Sequence, residues 1–168
     1  MKFISVDPSL SNTAVVYGNI NYGKLEFIDW RIASSKKSVD KVPVMEDRLC
    51  RIKDIFEVID DIVDVFKPDV CFGEYPSGSQ SSAASVSVGI SLSILAKLPN
   101  LIPVTPMDVK KVVSNGVVSK DDVMGYCLSK YPAFPYEKKS DGTLIKARME
   151  HVCDAIAIAV AGVKKMKI

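Results

Sequence analysis

An α/β fold with a sheet of mixed direction is predicted by three features of the sequence. Strand-forming runs separated by turns occupy the first 32 residues, and a long segment of helical periodicity follows them. Beyond it, short apolar strands alternate with helices. Because strand–helix–strand units pair their strands in parallel through right-handed crossovers, we expect the later strands to join the early antiparallel ones in one sheet.

The first three strands are predicted at Lys2–Asp7, Thr13–Gly18 and Lys24–Ile32. The first one ends at Asp7-Pro8, because proline suits the end of a strand but not its interior. A polar turn over residues 19–23 separates the other two, which indicates an antiparallel meander. From Met45 to Phe66 the apolar residues follow a helical period, and Lys67-Pro68 ends that helix.

Two short buried strands, Asp69–Glu74 and Leu101–Thr105, and four helices are predicted in the rest of the chain. Thr105 and Ser119 are typical N-cap residues, and each is followed three positions later by an acid. A last helix is predicted from about Lys146 to Lys165. Residues 80–98 alternate apolar residues with Ser or Gly as a strand does, but the stretch is too long for a typical strand, and we predict a helix.

The composition predicts a single soluble domain over residues 1–168. No apolar run approaches the roughly 20 residues that span a bilayer, and the N-terminus reaches Asp7 too early for a secretory signal. Four scattered cysteines without a CxxC pair disfavour a zinc site or a disulfide framework and fit a reducing cytoplasm. The net charge of +2 conceals an asymmetry, since residues 1–100 carry a net −2 and residues 101–168 a net +4.

Acidic residues stand at the ends of two predicted strands. Asp7 closes the first strand and Glu74 closes DVCFGE, and the crossover helix can return the chain so that these strands are neighbours. Their carboxyl ends would then lie together at the edge where open α/β sheets bind ligands. His151 and Asp154 share one face of the last helix. Clustered carboxylates need a cation, and Mg²⁺ or Mn²⁺ bound to them could support phosphodiester hydrolysis.

Four motifs occur in order along the chain: ISVDPSLSNTAVVYG, DVCFGE, TPMDVKKVVSNGVVSKDDV and HVCDAIAIAVAG. Together they resemble the RuvC family of Holliday-junction resolvases over nearly the whole chain, and the divergent motifs resemble a phage-borne member. The resemblance implies a ribonuclease H-like fold, in which a mixed five-stranded sheet with its first three strands antiparallel carries helices on both faces. It also implies a homodimeric, metal-dependent endonuclease that nicks four-way DNA junctions symmetrically.

The resemblance also implies site residues. Asp7, Glu74 and Asp154 match metal ligands, and His151 stands where members carry Asp or His, so it would be a ligand or a general acid–base group. The implied cofactor is Mg²⁺ or Mn²⁺, with two ions in each site. Lys110 and Lys120 match lysines that hold the scissile phosphate region, with Lys120 close to the chemistry, and Ser82–Lys97 matches the helix of the dimer interface.

The chain departs from the family at three places. The first motif has Asp7-Pro8-Ser9 where members usually have Asp-Pro-Gly. Bacterial members often carry an aromatic wedge that opens the junction, but its position is Ser77 here, which is not aromatic. Tyr75, two residues earlier, is a candidate DNA-contacting residue. The loop Tyr131–Ala147 is long and carries aromatic residues near Lys138 and Lys139. Its aromatics could stack bases while the lysines bind phosphates, or they could anchor a surface loop to the core.

Two other functions remain open at this stage. DPSLSNTA is similar to the phosphate loop of actin-like sugar kinases, which share this sheet topology but need two such domains around a nucleotide cleft. A non-catalytic scaffold that binds branched DNA is the second alternative, in which the acids have no catalytic role. ATP-dependent thermal stabilisation distinguishes the first alternative, and cleavage of a labelled junction distinguishes the second.

Overall fold

The computed structural model describes residues 1–76, 81–114 and 118–166. These residues contain a five-stranded sheet with the strand order β3-β2-β1-β4-β5. The strands are β1 (Lys2–Asp7), β2 (Asn12–Asn21), β3 (Lys24–Ser34), β4 (Val70–Glu74) and β5 (Leu101–Val104). The first three pair antiparallel, whereas β4 pairs in parallel with both β1 and β5. The mixed sheet predicted from the sequence is confirmed.

The hairpin between β2 and β3 is tighter than predicted. The strands run on to Asn21 and Lys24, which pair with each other, so that the asparagines of the predicted turn lie within β2. Tyr22 and Gly23 alone form the turn, with φ angles of 51° and 74°. Two positive φ angles are typical of the two-residue turn whose twist matches that of the flanking strands. The strands are longer than predicted because the turn has two residues, whereas the polar composition of residues 19–23 indicated a turn of five.

The helices are α1 (Val44–Phe66), α2 (Ser82–Ala96), α3 (Pro106–Val113), α4 (Lys120–Lys130) and α5 (Lys146–Lys165). The helix chosen for residues 80–98 is therefore confirmed as α2. Thr105 and Ser119 both form complete capping boxes, with Asp108 and Asp122 as their partners. Lys67 ends α1 in the left-handed conformation, with a φ of 52°. None of the helices within the described ranges is long and apolar enough to cross a membrane.

Two hydrophobic layers lie on opposite faces of the sheet, because neighbouring residues of a strand point to opposite sides. Phe3 of β1 belongs to the layer under α3, α4 and α5, while Ile4 belongs to the layer under α1 and α2. Helix α5 is the most deeply buried, with an unbroken run of buried residues from Ala155 to Val163. The Ser5 hydroxyl, fully buried in β1, donates a 2.8 Å hydrogen bond to the carbonyl of Ala155. This contact fixes α5 against the central strand.

Candidate active site and metal centre

The carboxyl ends of β1 and β4 meet at one edge of the sheet. Val6 of β1 pairs with Gly73 of β4, so the next residues, Asp7 and Glu74, end neighbouring parallel strands. An open cavity of about 340 Å³ lies at this edge, and both carboxylates line it together with Asp154 of α5. The structure therefore brings together three acids that are distant in the sequence.

Three side chains form a candidate metal-ligand cluster at this edge, and two of them, Asp7 and Asp154, line the cavity. Asp7, His151 and Asp154 each offer one ligand atom, and these atoms lie within 4.8 Å of one another. The Nδ1 atom of His151 is 3.3 Å from Oδ2 of Asp7. Glu74, among the described residues, is not part of this cluster, although it lines the same cavity. Two carboxylates and an imidazole at this spacing, with a further carboxylate nearby, suit a divalent cation.

The electrostatics of the site agree with a cation-binding role. Burial raises the pKa of Glu74 to about 7, and the negative charges of Asp7 and Asp154 add to this shift while Lys110 opposes it. Burial, followed by the charge of Asp7, raises the pKa of Asp154 to about 6. Glu74 and Asp154 are thus harder to ionise, first because they are buried and then because negative charge lies close to them. A bound divalent cation would remove this repulsion.

His151 sits between two acids. Its hydrogen bond to Asp7 is the main cause that raises its pKa above the ordinary value, and burial opposes this shift. Its other ring nitrogen, Nε2, lies 3.7 Å from Oε1 of Glu150. The same carboxylate forms a 3.0 Å ion pair with Lys120, which raises the pKa of that lysine. Glu150 was missed in the sequence, although its spacing of four residues from Asp154 places both on one helical face.

Lys110 and Lys120 line the same cavity as Asp7, Glu74 and Asp154. Lys110 lies in the last turn of α3, whereas Lys120 is the first residue of α4. The side chain of Lys120 is 62% exposed, so its ammonium group remains accessible despite the ion pair with Glu150. Two lysines at the rim of an acidic cavity are suited to holding an anionic group beside a bound cation.

Other predicted DNA contacts do not line this cavity. Tyr75 is 42% exposed, and its backbone N–H donates to the carbonyl of Val104. Lys138 and Lys139 are exposed in the segment that joins α4 to α5. None of these three is among the described residues that line the cavity. The wedge position, Ser77, falls outside the described residues.

The aromatic residues of this connecting segment pack into the core. Phe134 is buried, and its ring lies 5.5 Å from that of Phe27 and 4.8 Å from that of Tyr136. Tyr131 makes an edge contact with Phe27 at 4.9 Å. The segment also ends earlier than predicted, at Ile145, because α5 begins at Lys146. Of the two interpretations of the loop, the core anchor agrees with these contacts, whereas rings held in this way do not offer free faces for bases.

The turn that follows Asp7 is stabilised by residues whose role was not predicted from the sequence. Thr13, fully buried, donates to the carbonyl of Ser9 and accepts from its N–H. Arg51 of α1 reaches the carbonyl of Leu10 at 3.4 Å and the hydroxyl of Ser11 at 3.1 Å. Its side chain is only 13% exposed and also pairs with Asp47. The i,i+4 spacing of this pair was the available sequence indication of an ordered arginine.

Known proteins resemble this chain in sequence and in fold. No family model matches it. The crossover junction endodeoxyribonuclease RuvC of Carboxydothermus hydrogenoformans is 28% identical over 171 residues, covering 99% of this chain and 98% of that protein. The RuvC of T. thermophilus, solved in complex with a Holliday junction substrate, has a TM-score of 0.67 at 18% identity, with 96% of this chain and 92% of that chain covered.

Two resolvases from other sources share the fold. The Fowlpox virus resolvase, solved with Holliday junction DNA, has a TM-score of 0.60 at 14% identity and covers 99% of both chains. The yeast mitochondrial Holliday junction resolvase has a TM-score of 0.59 at 16% identity, with 96% of this chain and 78% of that one covered. These findings confirm the family resemblance of the four sequence motifs: the chain is similar to RuvC over nearly its whole length and shares the fold of these junction resolvases.

Proposed function

We propose that this chain is a structure-selective DNA endonuclease that resolves four-way junctions by metal-dependent hydrolysis of phosphodiester bonds. The enzyme class is that of its curated relative, a crossover junction endodeoxyribonuclease. One observation carries the proposal: Asp7, His151 and Asp154 offer ligand atoms within 4.8 Å of one another, and they stand at the carboxyl edge of the ribonuclease H-like sheet. That edge is where open α/β sheets bind their ligands.

The residues of the candidate metal centre fit the metal that this function requires. Asp7, Glu74, His151 and Asp154 would hold two Mg²⁺ or Mn²⁺ ions, because oxygen-rich donor sets favour these cations. When bound, such ions supply a water of lowered pKa and Lewis-acid stabilisation of the charge on the phosphate. The raised pKa values of Glu74 and Asp154 support this assignment, since both carboxylates gain most from a nearby cation.

The remaining polar residues position the substrate and move protons. Lys110 and Lys120 would bind the non-bridging oxygens of the scissile phosphate from the rim of the cavity. Glu150 orients Lys120 through their 3.0 Å ion pair and lies beside Nε2 of His151. His151 would then act as a metal ligand through Nδ1, or take part in general acid–base catalysis near neutral pH. Variants at this position distinguish the two roles.

A homodimer would present two such sites to one junction. The supporting feature is α2, which packs Ile90 and Ile94 into the core and leaves Leu92 43% exposed together with Gly89. A small residue beside an exposed apolar one allows two helices to approach closely. The proposed symmetric nicks follow from two sites related by a twofold axis. The expected location is the cytoplasm, or the host cytoplasm for a phage-encoded protein.

The decisive experiment incubates the protein with an end-labelled four-way junction in Mn²⁺, in Mg²⁺ and in EDTA. Replication forks, flaps and linear duplex are tested in parallel. We expect symmetric nicks in the junction that depend on the metal and are weaker or absent in linear duplex. Binding without cleavage in either metal would favour the non-catalytic scaffold, and thermal stabilisation by ATP would favour the kinase-like alternative.

A further inference from the structure

A second cavity adjoins the catalytic one. It has a volume of about 500 Å³ and lies between the turn after β1, the first turns of α1, and α2. The two cavities share Pro8 and Ser91 as lining residues. The hydroxyl of Ser91 donates a 3.2 Å hydrogen bond to the carbonyl of Pro8, which holds α2 against the turn at the boundary between them. An extended ligand in the catalytic cavity could therefore continue into the second one across this narrow wall.

The second cavity is positively charged. Lys37, Arg48 and Arg51 line it, and Asp47 is the acid among its lining residues. Asp47 is already committed, because it pairs with Arg51 at 3.6 Å and accepts the backbone N–H of Ser38 at 2.6 Å. Arg51 is likewise hydrogen-bonded to Ser35 and to Ser11 in the turn after β1. Lys37 and Arg48 are the remaining basic residues of this lining, and they are available to bind a ligand.

Lys37 and Arg48 have no acidic partner within the part of the chain that the structure describes. No ion pair joins either of them to a described residue, and the recorded polar contact of Arg48 is a 4.0 Å approach to the sulfur of Met45. Hydroxyl groups of Ser9 and Ser11 also line the cavity and can donate hydrogen bonds. This combination of donors suits a phosphate group.

We propose that this cavity binds backbone phosphates of the DNA strand that flanks the scissile phosphate, with Lys37 and Arg48 as the contacting residues. The inference rests on the proposed function, because it assumes that a DNA strand occupies the adjoining catalytic cavity. Contacts of this kind are made to the backbone alone, so they position the strand without selecting its sequence. Lys110 and Lys120 line the catalytic cavity and not the second one, so the strand would contact a separate pair of cations in each cavity.

The test measures how junction binding depends on salt. Binding of a labelled four-way junction is titrated in EDTA at several salt concentrations, for the wild type and for the double variant Lys37→Ala/Arg48→Ala. Each lost phosphate contact reduces the slope of log K against log salt by about 0.9 in duplex DNA. We therefore expect the slope of the double variant to be smaller by about 2, with weaker binding to every junction sequence.

The matched control is Lys24→Ala/Lys130→Ala. Both residues are exposed and line a different cavity, at the end of the sheet and of α4 opposite to the catalytic edge. The control removes the same net charge, so its slope is expected to stay close to that of the wild type. Equal reductions in both double variants would mean a general effect of charge and would overturn the inference.

A second measurement locates the contact on the DNA. Junctions carrying a neutral methylphosphonate at single positions near the cleavage site are bound by the wild type and by Lys37→Ala/Arg48→Ala. We expect one or two flanking positions to weaken the wild type but to have no further effect on the double variant. Additive losses at every position would overturn the inference. If the wild type cleaves junctions but the double variant keeps the wild-type salt slope, this inference alone is refuted. If the wild type neither binds nor cleaves junctions, the proposed function is refuted as well.

Discussion

The Nδ1 atom of His151 lies 3.3 Å from Oδ2 of Asp7, although 144 residues separate them in the sequence. This contact joins the last helix to the end of the first strand. The Ser5 hydroxyl, two residues before Asp7, holds the same helix through the carbonyl of Ala155. The geometry of the candidate metal centre is therefore set by how α5 packs on β1, and changes in that packing are expected to affect the site.

Substitutions at His151 distinguish its two possible roles. We expect His151→Asp to retain most of the cleavage activity, because a carboxylate at this position can replace an imidazole as a metal ligand. His151→Ala, which removes the ligand, is expected to lower the cleavage rate by about a hundredfold or more. The measurement is single-turnover cleavage of a labelled junction across a Mg²⁺ titration. Equal, large losses in both variants would show that the imidazole is needed for proton transfer.

Metal binding is expected to stabilise the protein more strongly as the pH rises. Without metal, the raised pKa values of Glu74, about 7, and Asp154, about 6, mean that the folded state holds more protons than the unfolded state between about pH 4 and 7. Stability without metal therefore falls as the pH rises through this window. A metal ion competes with these protons, so its stabilising effect grows as both carboxylates ionise.

Thermal unfolding with and without Mg²⁺, at about pH 5.5 and about pH 8, tests this dependence. We expect a clear rise in Tm on adding Mg²⁺ at the higher pH and a small one at the lower pH. Ca²⁺ serves as a second probe of the same carboxylates, and added NaCl of equal ionic strength is the control. A shift that is equal at both pH values, or larger at the lower one, would show that these carboxylates do not bind the ion.

The Arg51 side chain is expected to contribute to stability by holding the turn after Asp7. Arg51→Met removes its contacts with Leu10 and Ser11 and leaves the buried Asp47 without its cation, which is expected to lower the free energy of unfolding by about 2 kcal/mol. Urea unfolding measures this loss. Adding Asp47→Asn should recover part of it, because the unpaired charge is then removed. Arg48→Met is the control on the same helix. A loss of stability in Arg48→Met as large as that in Arg51→Met would contradict a specific role of Arg51 in holding the turn.

The packing of α5 against the sheet is expected to depend on Gly162. A Cβ atom at this position would overlap the ring of Phe72 on β4, so Gly162→Ala is expected to destabilise the protein by about 1–3 kcal/mol. Gly125 in α4 is the matched control, because none of the described atoms lies within 4 Å of a Cβ built there. Gly125→Ala should be neutral or stabilising by up to about 1 kcal/mol. Similar Tm changes for the two variants would contradict the close contact.

The regular elements were predictable because their patterns are local. The apolar period of α1 and the caps at Thr105 and Ser119 are written in consecutive residues, and the structure confirms all three. The turn between β2 and β3 was predicted too long, over residues 19–23, because the positive φ angles of Tyr22 and Gly23 depend on strand pairing rather than on polar composition. An element is thus predictable when neighbouring residues determine it, and less so when pairing with another segment does.

The site was predictable in part for the same reason. Asp7 and Glu74 could be placed together because parallel neighbouring strands end at one edge. The contacts of Glu150 with Lys120 and of Arg51 with Leu10 could not be derived, because they depend on how helices from distant parts of the chain approach the sheet. The anchoring of Phe134 on Phe27 is a long-range contact of the same kind, and it decided between two interpretations that the composition allowed.

The central claim is that Asp7 binds the metal on which junction cleavage depends. The variant Asp7→Asn tests this claim most directly. An end-labelled four-way junction is incubated with the wild type and the variant in Mg²⁺, and binding is measured in EDTA on the same substrate. We expect the variant to lose at least about a hundredfold in cleavage rate while binding the junction as tightly as the wild type, because one charged ligand is removed and the DNA-binding surface is kept. A variant that nicks the junction at the wild-type rate would contradict the account.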